Sequence, residues 1–381
     1  MEACLPERVV SPHLPEPPPG RTILLALGKA AVPMAHAVEA RWAWPLTGLV
    51  VTPHGTAGPL PRLDVIEATH PLPDESSVAA AERFLALART AGPDDLVLVL
   101  LSGGASALAC LPGDGLTLAE KQRVTRDLLR SGAPIGEINC VRRHLSRLKG
   151  GRLAAAAAPA RLVTLAISDV LGDDPAAIGS GPTVADQATL ADAYAILSRW
   201  NVTAPEAGWS ETENQVGGHY RIVARGADAV AAAAAEARRR GFAPITLECA
   251  GEAREVAREH ARIALAAPPG TALISGGELT VTVRGSGAGG PNQEYALACA
   301  LALRGTAVTG LAADTDGLDG TGASAGAFFD GATVSDAAEV EAALAANDSG
   351  GFFAGRGGLF APGPTGTNVN DLRILLTGDS H

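Results

Sequence analysis

Residues 94–109 read DDLVLVLLSGGASALA: two acids, an unbroken apolar run, then a pair of glycines between two serines. A short continuous run of Leu and Val bounded by turn residues is a strand buried on both faces, which belongs to a parallel sheet covered by helices. Gly103 and Gly104 stand where that strand hands over to a helix. Bare backbone there lets peptide N–H groups approach an anion with no side chain in the way. A tight turn needing positive φ asks for the same residues, so the stretch settles the strand before it settles any ligand.

The same alternation extends in both directions. Upstream, RTILLALG (21–28) is followed by KAAVPMAHAVEARW (29–42), TGLVVTPHG (47–55) and the amphipathic DESSVAAAERFLALARTAG (74–92). Downstream come TLAEKQRVTRDLLRSG (117–132), with Thr117 and Glu120 spaced as a capping box, then EINCVRRHLSRLKGG (137–151) and RLVTLAISDV (161–170). The N-terminal twenty residues are proline-rich and read as extended, and NVTAPEAGWSETENQVGGH (201–219) reads as a linker or excursion. Strands and helices resume with RIVARG (221–226), but ELTVTVRG (278–285) alternates apolar and polar, the mark of a strand exposed on one face. The expectation is a two-domain α/β protein: an N-terminal Rossmann-like doubly wound parallel sheet over residues 1–215 and a C-terminal α/β domain with a mixed sheet over residues 216–381.

Composition limits the function classes. The chain has 381 residues, 47% of them hydrophobic, and exceeds the size at which a single core usually stops growing. Its apolar runs are strand-sized, far short of the roughly 20 residues of a membrane helix, and no signal peptide is visible; a cytoplasmic protein is expected. A net charge of −11 disfavours nonspecific contact with nucleic acid or anionic membrane. Five scattered cysteines without a C-x-x-C pair indicate neither a zinc site nor a disulfide framework.

An anionic ligand on such a chain needs a local set of cations and bare amides. Only three lysines occur, and two of them, Lys29 and Lys149, directly adjoin glycine. Lys29 follows a strand and suits a phosphate oxygen as a point charge. In 137–151, Ile138, Val141, Leu145 and Leu148 recur at helical spacing, leaving Asn139, Arg142, Arg143, Ser146 and Lys149 as a basic face completed by Gly150 and Gly151. The turn after the opening strand offers Ser102, Gly103, Gly104 and Ser106. The long loop 168–183 adds Ser168, Ser180, Gly181 and Thr183, with Asp169 placed as a general base or metal carboxylate and Asp173 and Asp174 as solvated or capping residues. The C-terminal half contributes Glu278, Asn292, Glu294, Thr365, Thr367 and Asn368, and the run ADTDGLDG supplies Asp314, Asp316 and Asp319. Those three lack the later glutamate of an EF-hand and suit magnesium shared with a substrate phosphate.

Gly285 to Gly290 (GSGAGG) fits the G-x-G-x-x-G dinucleotide fingerprint. Against it, the preceding stretch presents Thr280, Thr282 and Arg284 on one side, whereas a Rossmann glycine loop follows a strand buried on both faces.

Taken in order, GKAAVPMA, HPLPDESS, LLSGGASAL, INCVRRHLSRLKGGRLA, SDVLGDDPAAIGSGPTVAD, SGGELTVTV, GAGGPNQEYALA, ADTDGLDGTGASAGA and PGPTGTNVNDLRILL resemble the class II glycerate 2-kinases, whose C-terminal part is the MOFRL domain. The likeness runs from about residue 20 to 376. It implies an N-terminal glycerate kinase domain, a MOFRL-type C-terminal domain, and an active site in the cleft between them. It implies ATP and Mg2+, phosphorylation of the 2-hydroxyl of D-glycerate to 2-phosphoglycerate, and an essential Lys29. Members have often been labelled hydroxypyruvate reductases. Many carry Arg where this chain has Pro291, for which Arg284 or Arg356 could compensate. The implied machinery is Lys29, Arg142, Lys149 and Asp169 as catalytic residues, with small-molecule partners, no nucleic acid, no membrane, and a monomer or homodimer. Two rivals stand beside it: an NAD(P)H-dependent reductase using Gly285–Gly290, and a non-enzymatic sugar-acid or nucleotide sensor.

Overall fold

The computed structural model describes residues 2–320 and 322–378. They form two compact units, one of residues 6–224 and one of residues 225–378 with 2–5. Among the described residues no helix is long and apolar enough to cross a membrane.

The first unit is built on six strands: β1 (Thr22–Leu27), β2 (Leu46–Pro53), β3 (Asp64–Ala68), β4 (Leu96–Leu101), β5 (Arg161–Ile167) and β6 (His219–Ala224). All pairings are parallel and the order is β3-β2-β1-β4-β5-β6, with Thr22 in register with Leu46 on one side and Leu96 on the other. Every residue of β1 and β4 is buried, as their continuous apolar runs require. Ile23, Leu25 and Leu27 face a core shared with Phe84 and Leu85 of helix Glu75–Ala88 and Leu153 of helix Arg152–Ala157. Leu24 and Ala26 point the other way, where helix Ala31–Glu39 packs. Thr117 and Glu120 form the expected capping box of helix Leu118–Ser131.

One alternative is decided here and two expectations change. Segment 201–218 is an excursion rather than a linker: it lies over this unit, with Glu213 N donating to Gly150 O (3.0 Å) and Arg152 reaching the carbonyls of Ser210 and Glu211. The strand expected to open the second domain, His219–Ala224, is the sixth strand of the first sheet. The first twenty residues hold three short helical turns, Glu2–Cys4, Pro6–Val9 and Ser11–His13, before an irregular stretch. Buried Cys4 is held in the second unit by Thr367, whose Oγ1 donates to the Cys4 carbonyl.

The second unit has β7 (Ala243–Glu248), β8 (Gly251–Glu252), β9 (Thr271–Gly276), β10 (Leu279–Thr280), β11 (Thr309–Asp314), β12 (Gly326–Asp330), β13 (Leu359–Phe360) and β14 (Asp371–Thr377). Six of them form the expected mixed sheet, ordered β13-β12-β11-β14-β9-β7, in which only β9 and β7 pair in parallel. ELTVTVRG contributes nothing to it. Only Leu279 and Thr280 are extended in a ladder, paired with β8, because side chains take the amides that follow: Glu252 Oε1 accepts from Thr282 N, and Asn347 Oδ1 from Arg284 N and Gly285 N. Helices Ala253–Ala266 and Pro291–Ala302 fill the core on one face, and helix Gly226–Arg239 packs on the other against β7 and β9.

Candidate active site

In a sheet ordered 3-2-1-4-5-6 the winding reverses between β1 and β4, and ligands reach the carboxyl ends of those two strands. Gly28-Lys29 follows β1 and Ser102–Ser106 follows β4, and the two turns are locked together. Lys29 N donates to Gly103 O (2.8 Å), Ser102 N to Leu27 O (3.0 Å), and Ala30 N to Ser102 Oγ (3.0 Å). Gly28 has φ +133°, and a Cβ there would lie 2.2 Å from Ser102 Oγ, so glycine is what admits this approach. Ser102 is thus a strut beneath Lys29. Gly104 has φ +80°, and the Cβ it lacks would sit 3.0 Å from His70 Cδ2 and 3.5 Å from Lys29 Cγ. Among the described residues, the amides of Gly103, Gly104 and Ser106 donate no hydrogen bond within the chain.

Ser106 Oγ lies 2.7 Å from Ser180 Oγ, which ties the turn to the loop 178–181, where Gly179, Ser180 and Gly181 all have positive φ. Lys149 also reaches this place. Its ammonium is buried and donates to the carbonyls of Ser106 (2.9 Å) and Ala109 (3.1 Å). Lys121, also buried, holds the carbonyls of Arg142 and Leu145. Burial presses Lys149 down to about 7 and Lys121 to about 8, with neighbouring Arg142 pushing the same way. Burial also lowers Arg142, whose guanidinium donates to Asn139 Oδ1 (3.2 Å).

The single basic helix face expected over 137–151 does not exist. The helix spans Ile135–His144 and stops because residues 145–147 turn onto the segment 111–113: Gly113 N donates to Leu145 O and Arg147 N to Leu111 O. Arg143 is buried in a two-pronged ion pair with Asp186 (2.6 and 3.1 Å). Gly150 N and Gly151 N donate to the carbonyls of Ser180 and Gly181, so neither can serve an anion. Thr183 is buried and accepts from Thr164 Oγ1, and Ser168 closes its own turn with Val170. Asp169 stands half-buried at the carboxyl end of β5, one strand from β4.

In the second unit the three aspartates part company. Asp314 Oδ1 accepts from Asp316 N (2.8 Å), and Asp316 Oδ1 from Leu318 N (2.8 Å), which folds the loop after β11. Asp319 instead accepts from Asn292 N and Gln293 N through both oxygens, capping helix Pro291–Ala302 from outside it. Burial raises its pKa to about 6. Asn292 Nδ2 bridges Asp319 and Asp371, and Asp371 pairs with fully buried Arg373, which also donates to the carbonyls of Gly276 and Gly277. Asn292 and Asp319 are therefore members of a structural network. So is Glu294, held by Arg254 Nε (2.6 Å) and Asn347 Nδ2 (3.0 Å). Thr365 bonds the Thr315 carbonyl, Asn368 Oδ1 accepts from Asn370 N, and Glu278 is exposed. No group of three or more His, Cys, Asp or Glu suited to a metal occurs among the described residues.

The Gly285–Gly290 loop is closed on its own chain. Gly285 N donates to Asn347 Oδ1, Gly287 N to Ala346 O and Ala288 N to Asp348 Oδ1. A Cβ at Gly285 would meet Ala346 O at 2.1 Å, so these glycines admit protein backbone. Pro291 opens the helix, where its missing N–H is no loss. Arg356 is engaged by Glu339 and stacked on Phe352, and so is not a substitute for an Arg at 291.

Sequence reasoning missed Lys121, Arg373 and His70. Nothing local in TLAEKQRVTRDLLRSG marks the Lys121 ammonium as buried, although the rarity of lysine in this chain was a signal. His70 stands in the quoted HPLPDESS, but nothing local says that its loop returns to Gly104.

Residues 1–209 match a family profile described as a domain of unknown function (DUF4147), and residues 271–371 match the MOFRL family. The chain is 46% identical to a protein of Agrobacterium vitis named "Putative hydroxypyruvate reductase", covering 98% of this chain and 91% of that one. It is 40% identical to D-glycerate 2-kinase of Thermotoga maritima, over 99% and 95% of the two chains. The crystal structure of glycerate kinase from Thermotoga maritima superposes with a TM-score of 0.91 at 39% identity, covering 99% of this chain and 96% of that one.

Proposed function

The chain belongs to the glycerate kinase family of the MOFRL type, and from that premise we propose that it transfers the γ-phosphoryl group of ATP to the 2-hydroxyl of D-glycerate, giving 2-phosphoglycerate and ADP. We assign the unit of residues 6–224 to the glycerate kinase domain and that of residues 225–378 to the MOFRL-type domain, and read the protein as a cytoplasmic monomer or homodimer. The observation that carries the reading is the pair of interlocked turns at the carboxyl ends of β1 and β4, with Lys29 beside the amides of Gly103 and Gly104, which have no partner among the described residues.

Phosphoryl transfer needs little covalent help from the protein; positioning and charge neutralisation do the work. Lys29 and the amides of the 102–106 turn take phosphate oxygens. Arg142 takes the glycerate carboxylate. Lys149, whose ammonium is filled by two carbonyls, backs that site as a charge. Asp169 accepts the hydroxyl proton as the new P–O bond forms. Asp314 and Asp316 suit magnesium, which takes one or two carboxylates and completes its shell with phosphate oxygens and water. When bound, magnesium supplies neutralisation of the triphosphate. Asp319 is withdrawn from that set, since both its oxygens hold helix amides. The reductase alternative would need the Gly285–Gly290 amides for a dinucleotide, and these are bonded to residues 346–348.

The test supplies purified protein with ATP, Mg2+ and D-glycerate and identifies the product by phosphorus NMR. The expected product is 2-phosphoglycerate. Formation of 3-phosphoglycerate would place the enzyme in another kinase class, and NADH oxidation by hydroxypyruvate without phosphoryl transfer would overturn the proposal.

A further inference from the structure

The crossover from β3 to β4 has to carry the chain from the sheet edge to the far side of β1. Helix Glu75–Ala88 makes that crossing against β3, β2 and β1, and the loop 69–74 that feeds it starts at the carboxyl end of β3. This route brings His70 onto Gly104. The Cβ that Gly104 lacks would lie 3.0 Å from Cδ2 and 3.2 Å from Nε2 of the imidazole, and 3.5 Å from Lys29 Cγ. One ring edge and one lysine stem therefore flank the same α-carbon, and it is the Nε2 edge that faces the turn. The loop is anchored behind the histidine: Asp74 accepts from Thr69 Oγ1 (2.5 Å), Ser76 N (2.9 Å) and Ser77 N (3.3 Å). The Ser76 hydroxyl also donates to Asp74 and, with these bonds, holds it down at about 2, so it is a fixed anion and an anchor. A half-buried imidazole on a pinned loop is preorganised in the sense that transition-state donors require.

We propose that His70 is a catalytic residue of this kinase, its Nε2 donating a hydrogen bond to a non-bridging oxygen of the phosphoryl group that Lys29 also holds. This rests on the kinase reading above. In the step, the glycerate 2-oxygen bonds to the γ-phosphorus, the bond from that phosphorus to the β,γ-bridging oxygen breaks, and ADP departs with the electron pair. The hydroxyl proton goes to Asp169. His70 neither gains nor loses a proton; it stabilises charge on the group in flight.

Three substitutions distinguish this from a packing role. Gln places its amide nitrogen close to the position of Nε2, Asn places its own close to Nδ1, and Phe fills the space with no donor. The expected result is kcat reduced about 100-fold in His70→Phe and His70→Asn, with His70→Gln retaining at least about a tenth of parent turnover and KM for glycerate within about threefold throughout. Turnover of His70→Phe at the parent rate overturns the proposal. So do equal losses in all three variants, which would mark the imidazole as filler. If His70→Phe melts early, the comparison of Gln with Asn decides alone, since both are small polar replacements. Parent protein is assayed first: if it makes no 2-phosphoglycerate, the kinase reading fails and this proposal with it, whereas an active parent with an indifferent His70 sinks this proposal only.

Discussion

Two glycine-rich segments, 102–106 and 285–290, read alike as sequence, and the second matches a known cofactor fingerprint far better than the first. In the fold they are opposites. In the first, three amides have no partner among the described residues, and Gly104 admits Lys29 and His70. The second gives its amides to Asn347, Ala346 and Asp348, and its glycines admit the backbone of 346–350. A run of glycines reports that something comes close. What comes close is decided by the element opposite: beyond β4 it is the open carboxyl end of a parallel sheet, where we place the ligand, and beside residue 287 it is the start of helix Ser349–Ala354.

The comparison breaks most directly at Lys29. Lys29→Met is expected to lower kcat by on the order of 10³, the range for losing a charged transition-state partner, while the melting temperature stays within about 2 °C of the parent. A coupled ADP-release assay and a thermal melt check both, and near-parent turnover would detach Lys29 from the first segment's function. Gly104→Ala comes next. The new methyl meets the His70 ring at 3.0 Å on a backbone at φ +80°, so about a 100-fold fall in kcat and roughly 1 kcal/mol of lost stability are expected.

How much of this was legible follows from where each signal lives. β1 and β4 announce themselves because a strand buried on both faces has no polar position to fill. The Thr117–Glu120 box is a contact between residues three apart, and the sequence displays it in full. The place of Lys29 in the chain was legible from its neighbours, a strand before it and a small-residue helix after. What stayed hidden depends on partners far along the chain. Arg143 reads as a surface charge until Asp186 arrives from 43 residues away. The alternation of 278–285 is that of an exposed strand, and Glu252 and Asn347 remove its amides from any ladder. His70 is placed by the sheet order itself, which no local pattern states.

Gly287→Ala sharpens the comparison from the other side. Its Cβ would fall 2.4 Å from Asp348 Cβ, so the loop has to shift, and overpacking of this kind costs about 1–3 kcal/mol. The expected outcome is a lower urea midpoint with kcat per folded molecule unchanged within about twofold. A specific loss of turnover at parent stability would put residues 285–290 back among the ligand-binding segments.

The smallest effect concerns the charge buried beneath each segment. Under the first lie Lys149 and Lys121, depressed to about 7 and about 8 from 10.5; under the second lies Asp319, raised to about 6 from 3.8. Between about pH 4 and 6 the folded chain holds a proton on Asp319 that the unfolded chain has released, so stability falls as pH rises through that window. Above about pH 7 the unfolded chain keeps protons that folded Lys149 has shed, so stability from that group climbs as pH rises toward 10.5. Asp319→Asn should flatten the acid-side slope alone and Lys149→Met the alkaline-side slope alone, each by a few degrees in melting temperature. Melting curves from pH 4 to 10 on parent and both variants read the two slopes separately. An acid-side slope that persists in Asp319→Asn would mean that the proton sits elsewhere in the Asn292–Asp371–Arg373 network, with Asp371, also raised by burial, as the group left to carry it.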